Sequence, residues 1–201
     1  MVVGVSFWVT CLVMTIAIVH SAIILLVACL AASPVALADQ NDPRLEALFD
    51  ELAHSDDASE AQVLLAQINQ IWIEQPDPDV ARMVLIGTHL LNVGALRDAT
   101  TVFQEVTRLA PDYAEGWNRL ATVLYYRGLN AEALAPTRRV LELEPRHYGA
   151  TWGLAMIYRA LGREEQARWY FQLAYAIAPS LKGALSQAQS NENSGSAGLL
   201  F

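Results

Sequence analysis

Residues 148–181 read YGATWGLAMIYRALGREEQARWYFQLAYAIAPSL, and this stretch decides the fold because its pattern occurs three times. Residues 80–113 and 114–147 have the same length and spacing. Columns 34 residues apart hold one residue type: glycine at Gly94, Gly128 and Gly162, alanine at Ala99, Ala133 and Ala167, and proline at Pro111, Pro145 and Pro179. A fixed period of this length indicates stacked structural units.

Each unit has the pattern of two helices joined by a turn. The first helix of the second unit starts near Ala114, and its apolar residues recur at helical spacing: Trp117, Leu120, Ala121 and Leu124. Gly128 ends that helix, since glycine adopts positive φ at little cost, and Pro145 ends the second helix. Pro136 lies inside the second helix and predicts a kink or a late start there.

The period, the Trp–Leu–small–Tyr pattern of the first helix and the Ala–Phe–Ala–Pro pattern of the second resemble the tetratricopeptide repeat family. The resemblance covers Val80 to Leu181, with Met83 where the family has Trp and Thr137 where it has Phe. It implies an all-α, right-handed superhelical solenoid of antiparallel helix pairs. Combined with an apolar leader, the repeats also resemble secreted or periplasmic repeat proteins of alphaproteobacteria.

Residues 39–79 predict a degenerate helical hairpin before the three repeats. One helix is expected over Pro43–Ala53 and a second over Glu60–Glu74, opened by Ser59 and Gln62 as a capping box. We expect this hairpin to cap the exposed first end of the solenoid. At the other end, residues 182–201 are expected to complete a short helix over Leu181–Gln189, weakened by glycine, and a disordered tail.

The first 38 residues carry no charge, whereas all 13 Lys and Arg and all 21 Asp and Glu follow Ala38. Residues 1–38 therefore predict a signal peptide cleaved after Ala38, although no basic residue precedes the apolar run. A lipobox ending at Cys29 and an uncleaved membrane anchor over residues 2–37 are alternatives. All three predict a domain outside the cytoplasmic membrane: periplasmic or secreted, lipid-anchored through Cys29, or anchored in the inner membrane.

The net charge of −8 argues against a nucleic-acid partner, because binding phosphates needs clustered Lys and Arg. Both cysteines, Cys11 and Cys29, lie in the leader, so the repeats have neither a disulfide nor a cysteine metal site. His54, His89 and His147 have no second ligand at helical spacing, and the paired carboxylates Asp56–Asp57 and Glu164–Glu165 stand at helix starts. We therefore expect no catalytic site, no metal and no cofactor.

In tetratricopeptide repeats the first helices line a concave groove, so the resemblance implies a partner-binding face on those helices. The six expected groove residues come from the second and third repeats: Asn118, Thr122, Tyr125, Trp152, Met156 and Arg159. Trp152 lies outside the core Trp column, so its ring is expected either in the groove or as extra core. Arg119 is expected to form a surface ion pair with Glu115 at i, i+4.

These observations predict a non-catalytic scaffold in the bacterial envelope that binds a protein or peptide segment in its concave groove. The alternative is a structural repeat module without a peptide groove: either a lipoprotein adaptor, or a module in which the C-terminal face of the third repeat stacks on a second copy as a homodimer. Membrane attachment through the leader is compatible with both.

Overall fold

The computed structural model describes residues 40–55, 57–75 and 77–179. The chain divides into the units Met1–Ala36 and Leu37–Phe201, and all described residues belong to the second. The described part is all-helical, with eight helices: α1 (Arg44–His54), α2 (Ala58–Ile73), α3 (Pro78–Asn92), α4 (Leu96–Leu109), α5 (Ala114–Tyr126), α6 (Asn130–Leu143), α7 (Tyr148–Ala160) and α8 (Glu164–Ile177). The expected leader, C-terminal helix and tail lie outside these residues.

Helices α3 to α8 form three antiparallel pairs, which confirms the predicted solenoid. From α3 to α8 each helix packs on the next one along the chain, and the first helices lie side by side, α3 against α5 and α5 against α7. The three alanines of the repeat column are fully buried where the paired helices meet. A Cβ added to Gly87 would lie 2.7 Å from Cζ of Phe103, so a small residue is required for this approach.

The three predicted glycine turns are confirmed. Gly94, Gly128 and Gly162 have φ of 76°, 74° and 70°, the left-handed conformation that glycine adopts most cheaply. The residue after each glycine donates its N–H to a carbonyl five residues earlier, at 2.8–3.0 Å, which closes the helix as a Schellman motif. Each second helix ends two residues before its proline, because the residue preceding proline disfavours helical backbone.

Helix α6 begins at Asn130 and continues through Pro136, so the late start expected there is wrong. Proline removes one N–H, the one that would bond to the carbonyl of Glu132. The hydroxyl of Thr137 donates to the carbonyl of Ala133 at 2.7 Å, within the same turn. The lost backbone bond is therefore a local cost that the buried packing of Pro136 offsets.

Helix α2 begins earlier than its sequence suggests. Asp57, rather than Ser59, is the N-cap, and its carboxylate accepts from the N–H groups of Ser59 and Glu60 at 2.7 and 3.4 Å. The capping box predicted at Ser59 and Gln62 is therefore wrong. The aspartate carboxylate, two residues upstream of Ser59, binds the first N–H groups of a helix that begins at Ala58 and adds a favourable charge at its positive end.

The N-terminal hairpin, α1 and α2, does not cap the first end of the solenoid as expected. Helix α2 packs on α5, and Trp72 stacks on His147 in the turn between the second and third repeats. Ile86 on α3 is 48% exposed, whereas its equivalents Leu120 and Leu154 are 6% and 0% exposed. The face of α3 that a preceding repeat would cover is thus open.

Polar contacts along the inter-repeat turns explain this position. Gln40 binds the turn between the first and second repeats at two points. Its Nε2 donates to the carbonyl of Asp112, and its Oε1 accepts from the N–H of Ala114. The hydroxyl of Tyr113 donates to the carbonyl of Ile73 at 3.1 Å. These bonds pair backbone groups that helix ends leave unsatisfied, and they are available along the turns but not on the face of α3.

Arg146 connects α1 to the second turn. Its Nη1 donates to Glu46 at 3.0 Å, and its guanidinium lies 4.3 Å from the ring centroid of Phe49.

Within the part of the chain that the structure describes, no helix is long and apolar enough to cross a membrane.

Candidate functional site

The six expected groove residues form two adjoining groups that share Tyr125. Asn118, Thr122 and Tyr125 line one side of a small pocket between α5, α6 and α7. Tyr125 also packs against the buried cluster that contains Trp152 and Met156. Nη2 of Arg159 donates to the sulfur of Met156 at 3.1 Å, which connects the sixth residue to the same group. The sequence therefore identified a contiguous set of side chains.

Trp152 is not exposed in a groove; of the two positions expected for its ring, the structure has the core. The side chain is only 4% exposed, and its ring centroid lies 4.4 Å from that of Phe171 and 6.1 Å from that of Tyr175. Both partners come from α8, the second helix of the same repeat. Trp152 therefore belongs to the core, because α8 supplies aromatic surface at the very position that faces it.

Asn118, Thr122 and Met156 are also buried. The Nδ2 of Asn118 donates to Glu115 at 2.9 Å, and the hydroxyl of Thr122 donates to the carbonyl of Asn118 at 2.9 Å. These polar groups are used within the protein. Tyr125 and Arg159 are partly exposed and therefore remain the most accessible of the six.

The pocket lies where the second repeat departs from the other two. Its far wall consists of Thr137 on α6 with Gly153 and Ile157 on α7, facing Asn118, Thr122 and Tyr125 on α5. The wall is largely apolar, and the cavity volume is about 10 Å³. This is space for about one methyl-sized group or one water molecule.

Next to the predicted groove, a buried ionic cluster joins α5 to the turn before α7. Oε1 of Glu115 lies 2.6 Å from Nε of Arg119, and Oε2 lies 3.4 Å from Nε2 of His147. His147 accepts from the N–H of Ala150 through Nδ1 at 3.1 Å and so caps α7, as its position after a repeat end allowed. The ring proton consequently belongs on Nε2, which faces the carboxylate.

Electrostatics keep Glu115 ionised in this cluster. Burial alone would raise the pKa of its carboxyl, but the charge of Arg119 and the contacts of His147 and Asn118 lower the pKa below its usual value. The ion pair with Arg119 was expected at the surface, which is wrong, because Glu115 is 4% exposed. Glu115 and Arg119 on α5 meet His147, which caps α7, so the cluster connects the second repeat to the third.

Sequence reasoning missed this cluster because the residues come from different elements. The i, i+4 spacing of Glu115 and Arg119 was a signal for their pairing. His147 is 32 residues away from Glu115, and Trp72, which stacks on His147 at 4.1 Å, is contributed by the N-terminal hairpin. Within the described residues, no group of three or more His, Cys, Asp or Glu side chains is placed to hold a metal ion.

A family profile agrees with the repeat architecture: the profile described as tetratricopeptide repeat matches residues 84–139 and 119–181. Two solved structures, titled MamA AMB-1 and MamA MSR-1, are 22% and 24% identical, with TM-scores of 0.47 and 0.48. The matches cover 66% and 78% of this chain and 85% and 90% of those chains.

A curated TPR repeat-containing protein of Rhizobium etli is 29% identical over 122 residues, which is 61% of this chain. The match spans 60% of the length of that relative. It also supports the resemblance to alphaproteobacterial repeat proteins. The profile matches and the three pairs of helices with their glycine turns together place this chain in the tetratricopeptide repeat family.

Proposed function

We propose that this chain is a non-catalytic scaffold that binds an extended segment of a protein partner on the face formed by α3, α5 and α7. Tetratricopeptide repeats are protein–protein interaction scaffolds, and the profile matches over residues 84–181 support that role for this chain. The observation that carries the specific proposal is the contiguity of the groove residues, with Tyr125 and Arg159 partly exposed at its surface. Tyrosine and arginine are the residue types most enriched at interaction hot spots.

We further propose that the scaffold acts in the bacterial envelope, periplasmic or secreted. The support is the charge-free stretch that ends at Ala38, before which no Asp, Glu, Lys or Arg occurs. Attachment through a lipidated Cys29, or through residues 2–37 as an anchor, is the alternative to cleavage after Ala38. The intact mass of the exported chain distinguishes the three, because each leaves a different first residue.

The groove proposal predicts the effect of a double substitution, Tyr125→Ala with Arg159→Ala. Peptides selected on the wild-type protein from a phage-displayed library of random 12-residue peptides should bind the variant at least about 30-fold more weakly, since a hot-spot side chain contributes about 2 kcal/mol or more. Isothermal titration calorimetry with the synthetic peptides measures the change. Circular dichroism must show the same helix content in both proteins.

Trp169→Ala is the matched control. This substitution also removes an aromatic side chain, but Trp169 is 56% exposed on α8 and lies outside the groove. The control should keep wild-type affinity. Unchanged binding by the double variant would rule out the groove, and so would an equal loss in the control.

Self-association is a second candidate, favoured by the open face of α3. Three columns of the repeat lie on this face, and in the first repeat their residues, Arg82, Ile86 and His89, are exposed. The equivalent residues of the second and third repeats are buried: Gly116, Leu120 and Val123, and Ala150, Leu154 and Ile157. Leu85 and Val93 add exposed apolar surface. In α5 and α7 the same columns form the interface with the preceding repeat. The α3 helix of a second copy, packed across a two-fold axis, would cover the face of α3 in the same way.

Arg82 on this face pairs with Asp79 at 2.5 Å, so the pair brings no net charge to the contact. The sequence predicted the homodimer contact at the C-terminal face of the third repeat, and because the described residues end at Pro179, that contact stays a prediction. The face of α3 is therefore the surface on which this candidate now rests.

Ile86→Glu tests self-association, because it places a charge in the centre of the two-fold contact. If the wild-type protein is a dimer at 100 micromolar, the variant should be a monomer by sedimentation equilibrium. A wild-type protein that sediments as a monomer at that concentration excludes the candidate, and so does a variant that remains dimeric.

A further inference from the structure

The pocket beside Tyr125 exists because two columns of the repeat lose their large side chains at the same place. The first column holds Phe103, Thr137 and Phe171. The ring of Phe103 fills the space beside Gly87, where an added Cβ would approach it to 2.7 Å, and the ring of Phe171 packs 4.4 Å from that of Trp152. Thr137 provides no ring in the second repeat.

The second column holds Leu85, Arg119 and Gly153, so the third repeat has no side chain at this position. Thr137 on α6 and Gly153 on α7 both line the same pocket. Two independent reductions in side-chain size, on different helices, therefore converge on one cavity. A void of this kind costs stability, since the lining atoms lose packing partners on one side.

The chemistry of the wall selects an apolar occupant. The hydroxyls of Thr122 and Thr137 already donate to carbonyls of their own helices, at 2.9 and 2.7 Å. Ala121 and Ile157 provide methyl groups. A water molecule would find no hydroxyl proton from these threonines, so an apolar group that displaces it gains affinity. A charged group would lose its hydration without compensation.

The size of the cavity restricts the occupant further. A volume of about 10 Å³ accepts one methyl-sized group and excludes an aromatic ring. The pocket is continuous with the proposed binding face, because Tyr125 belongs to both.

We propose that this pocket is a specificity site that takes the tip of one branched aliphatic side chain, Val, Ile or Leu, from the partner segment. The proposal rests on the proposed function, since the side chain must arrive on a segment bound along α5 and α7. It defines the partner chemistry more narrowly: an extended peptide with one obligatory aliphatic anchor next to the ring of Tyr125.

Thr137→Ile tests the proposal, because isoleucine is also β-branched and its side chain is one methyl group longer, which fills a pocket of this size. The probes are peptides selected on the wild-type protein from the random 12-residue phage library, and a second set in which the shared aliphatic residue is replaced by alanine. We expect a common Val, Ile or Leu position. The wild-type protein should lose roughly tenfold in affinity for the alanine peptides, because a hydrophobic pocket distinguishes single methylenes by about that factor.

Thr137→Ile should bind both peptide sets equally weakly, with no difference between them. Thr101→Ile is the matched control, because Thr101 is exposed on α4 and the same substitution there leaves the pocket open. That control should keep the tenfold preference. Thermal unfolding checks that Thr137→Ile is folded, and Gly153→Ala, which narrows the same pocket with one methyl group, replaces it if it is not.

The outcomes separate this proposal from the groove. Peptides without a common aliphatic position, or an undiminished preference in the pocket-filled variant, overturn the pocket; the groove stands if Tyr125→Ala with Arg159→Ala still abolishes binding. A library that yields no binding peptide, or peptides that the double variant binds normally, overturns both proposals.

Discussion

Trp72→Ala is expected to lower the free energy of unfolding by about 3–5 kcal/mol, one of the two largest effects of a single substitution in this chain. Trp72 is 2% exposed. Its ring stacks on that of His147 with centroids 4.1 Å apart, and it also lies near the rings of Tyr148 and Phe49, at 5.5 and 6.0 Å. Truncation would leave a large cavity between the hairpin and the inter-repeat turn. Guanidinium-induced unfolding, followed by circular dichroism, measures the loss.

The stacking contact, more than hydrogen bonding, holds Trp72 in place. Its Nε1 is buried and has no hydrogen-bond partner in the described part of the chain. Burial raises the pKa of the neighbouring Tyr148 hydroxyl above its usual value, and a hydrogen bond with Asn69 opposes that shift only in part. Trp72 is therefore surrounded by aromatic rings and is shielded from water. If its ring is removed, water cannot replace the lost ring contacts at low cost.

Trp169→Ala is again the control, because its exposed side chain should cost well under about 1 kcal/mol. Hydrogen exchange gives a second readout: α1 and α2 should lose protection in Trp72→Ala while α4 to α6 keep theirs. A loss of stability below about 1 kcal/mol, equal to the control, would mean that the hairpin does not dock on the turns.

The repeat helices were predictable because glycine and proline mark their ends. Gly128 and Pro145 each stand at a position that the backbone requires, so the boundaries of α5 and α6 follow from the spacing alone. The period also predicted the antiparallel pairing, since short connections of this kind place consecutive helices side by side. These are local rules, and they act within one repeat or between adjacent repeats.

The position of the N-terminal hairpin was not predictable from such rules. The apolar face of α2 must be buried, but its periodicity does not say whether the face of α3 or the inter-repeat turns will cover it. The choice depends on pairings such as Gln40 with the turn at Asp112 and Trp72 with His147, which are more than 70 residues apart in sequence. Pairings at that separation leave no periodic signal.

The six expected groove residues are neighbours in the structure, as the sequence suggested, but their exposure was not predictable. Projecting α7 onto one face placed Trp152 correctly beside Met156, yet the ring is buried because α8 provides Phe171 and Tyr175 opposite it. Glu115 was placed correctly beside Arg119, but the turn carrying His147 covers the pair. The spacing of residues along one helix identifies neighbours on that helix. It does not show which residues of other elements cover them.

Glu115→Ala is expected to lower the free energy of unfolding by about 3–5 kcal/mol, because it leaves the largely buried guanidinium of Arg119 without its carboxylate. The same substitution removes the acceptor for Asn118 and the group that faces Nε2 of His147. Urea-induced unfolding at pH 7 measures the loss. Glu105→Ala is the matched control: Glu105 pairs with Arg108 on the exposed side of α4, where an ion pair contributes about 1 kcal/mol or less.

The contribution of Glu115 should also depend on pH in a definite direction. Its pKa is lower in the folded protein than in the unfolded chain, where a glutamate titrates near 4.3. Its stabilisation is therefore complete above the unfolded pKa and is lost as the pH falls through the folded pKa. In wild-type protein and Glu115→Gln, compared between pH 7 and pH 3, the difference in stability should be constant down to about pH 5 and then shrink. A difference that grows on acidification would mean that the carboxyl is protonated in the fold at neutral pH and that the cluster is not ionic.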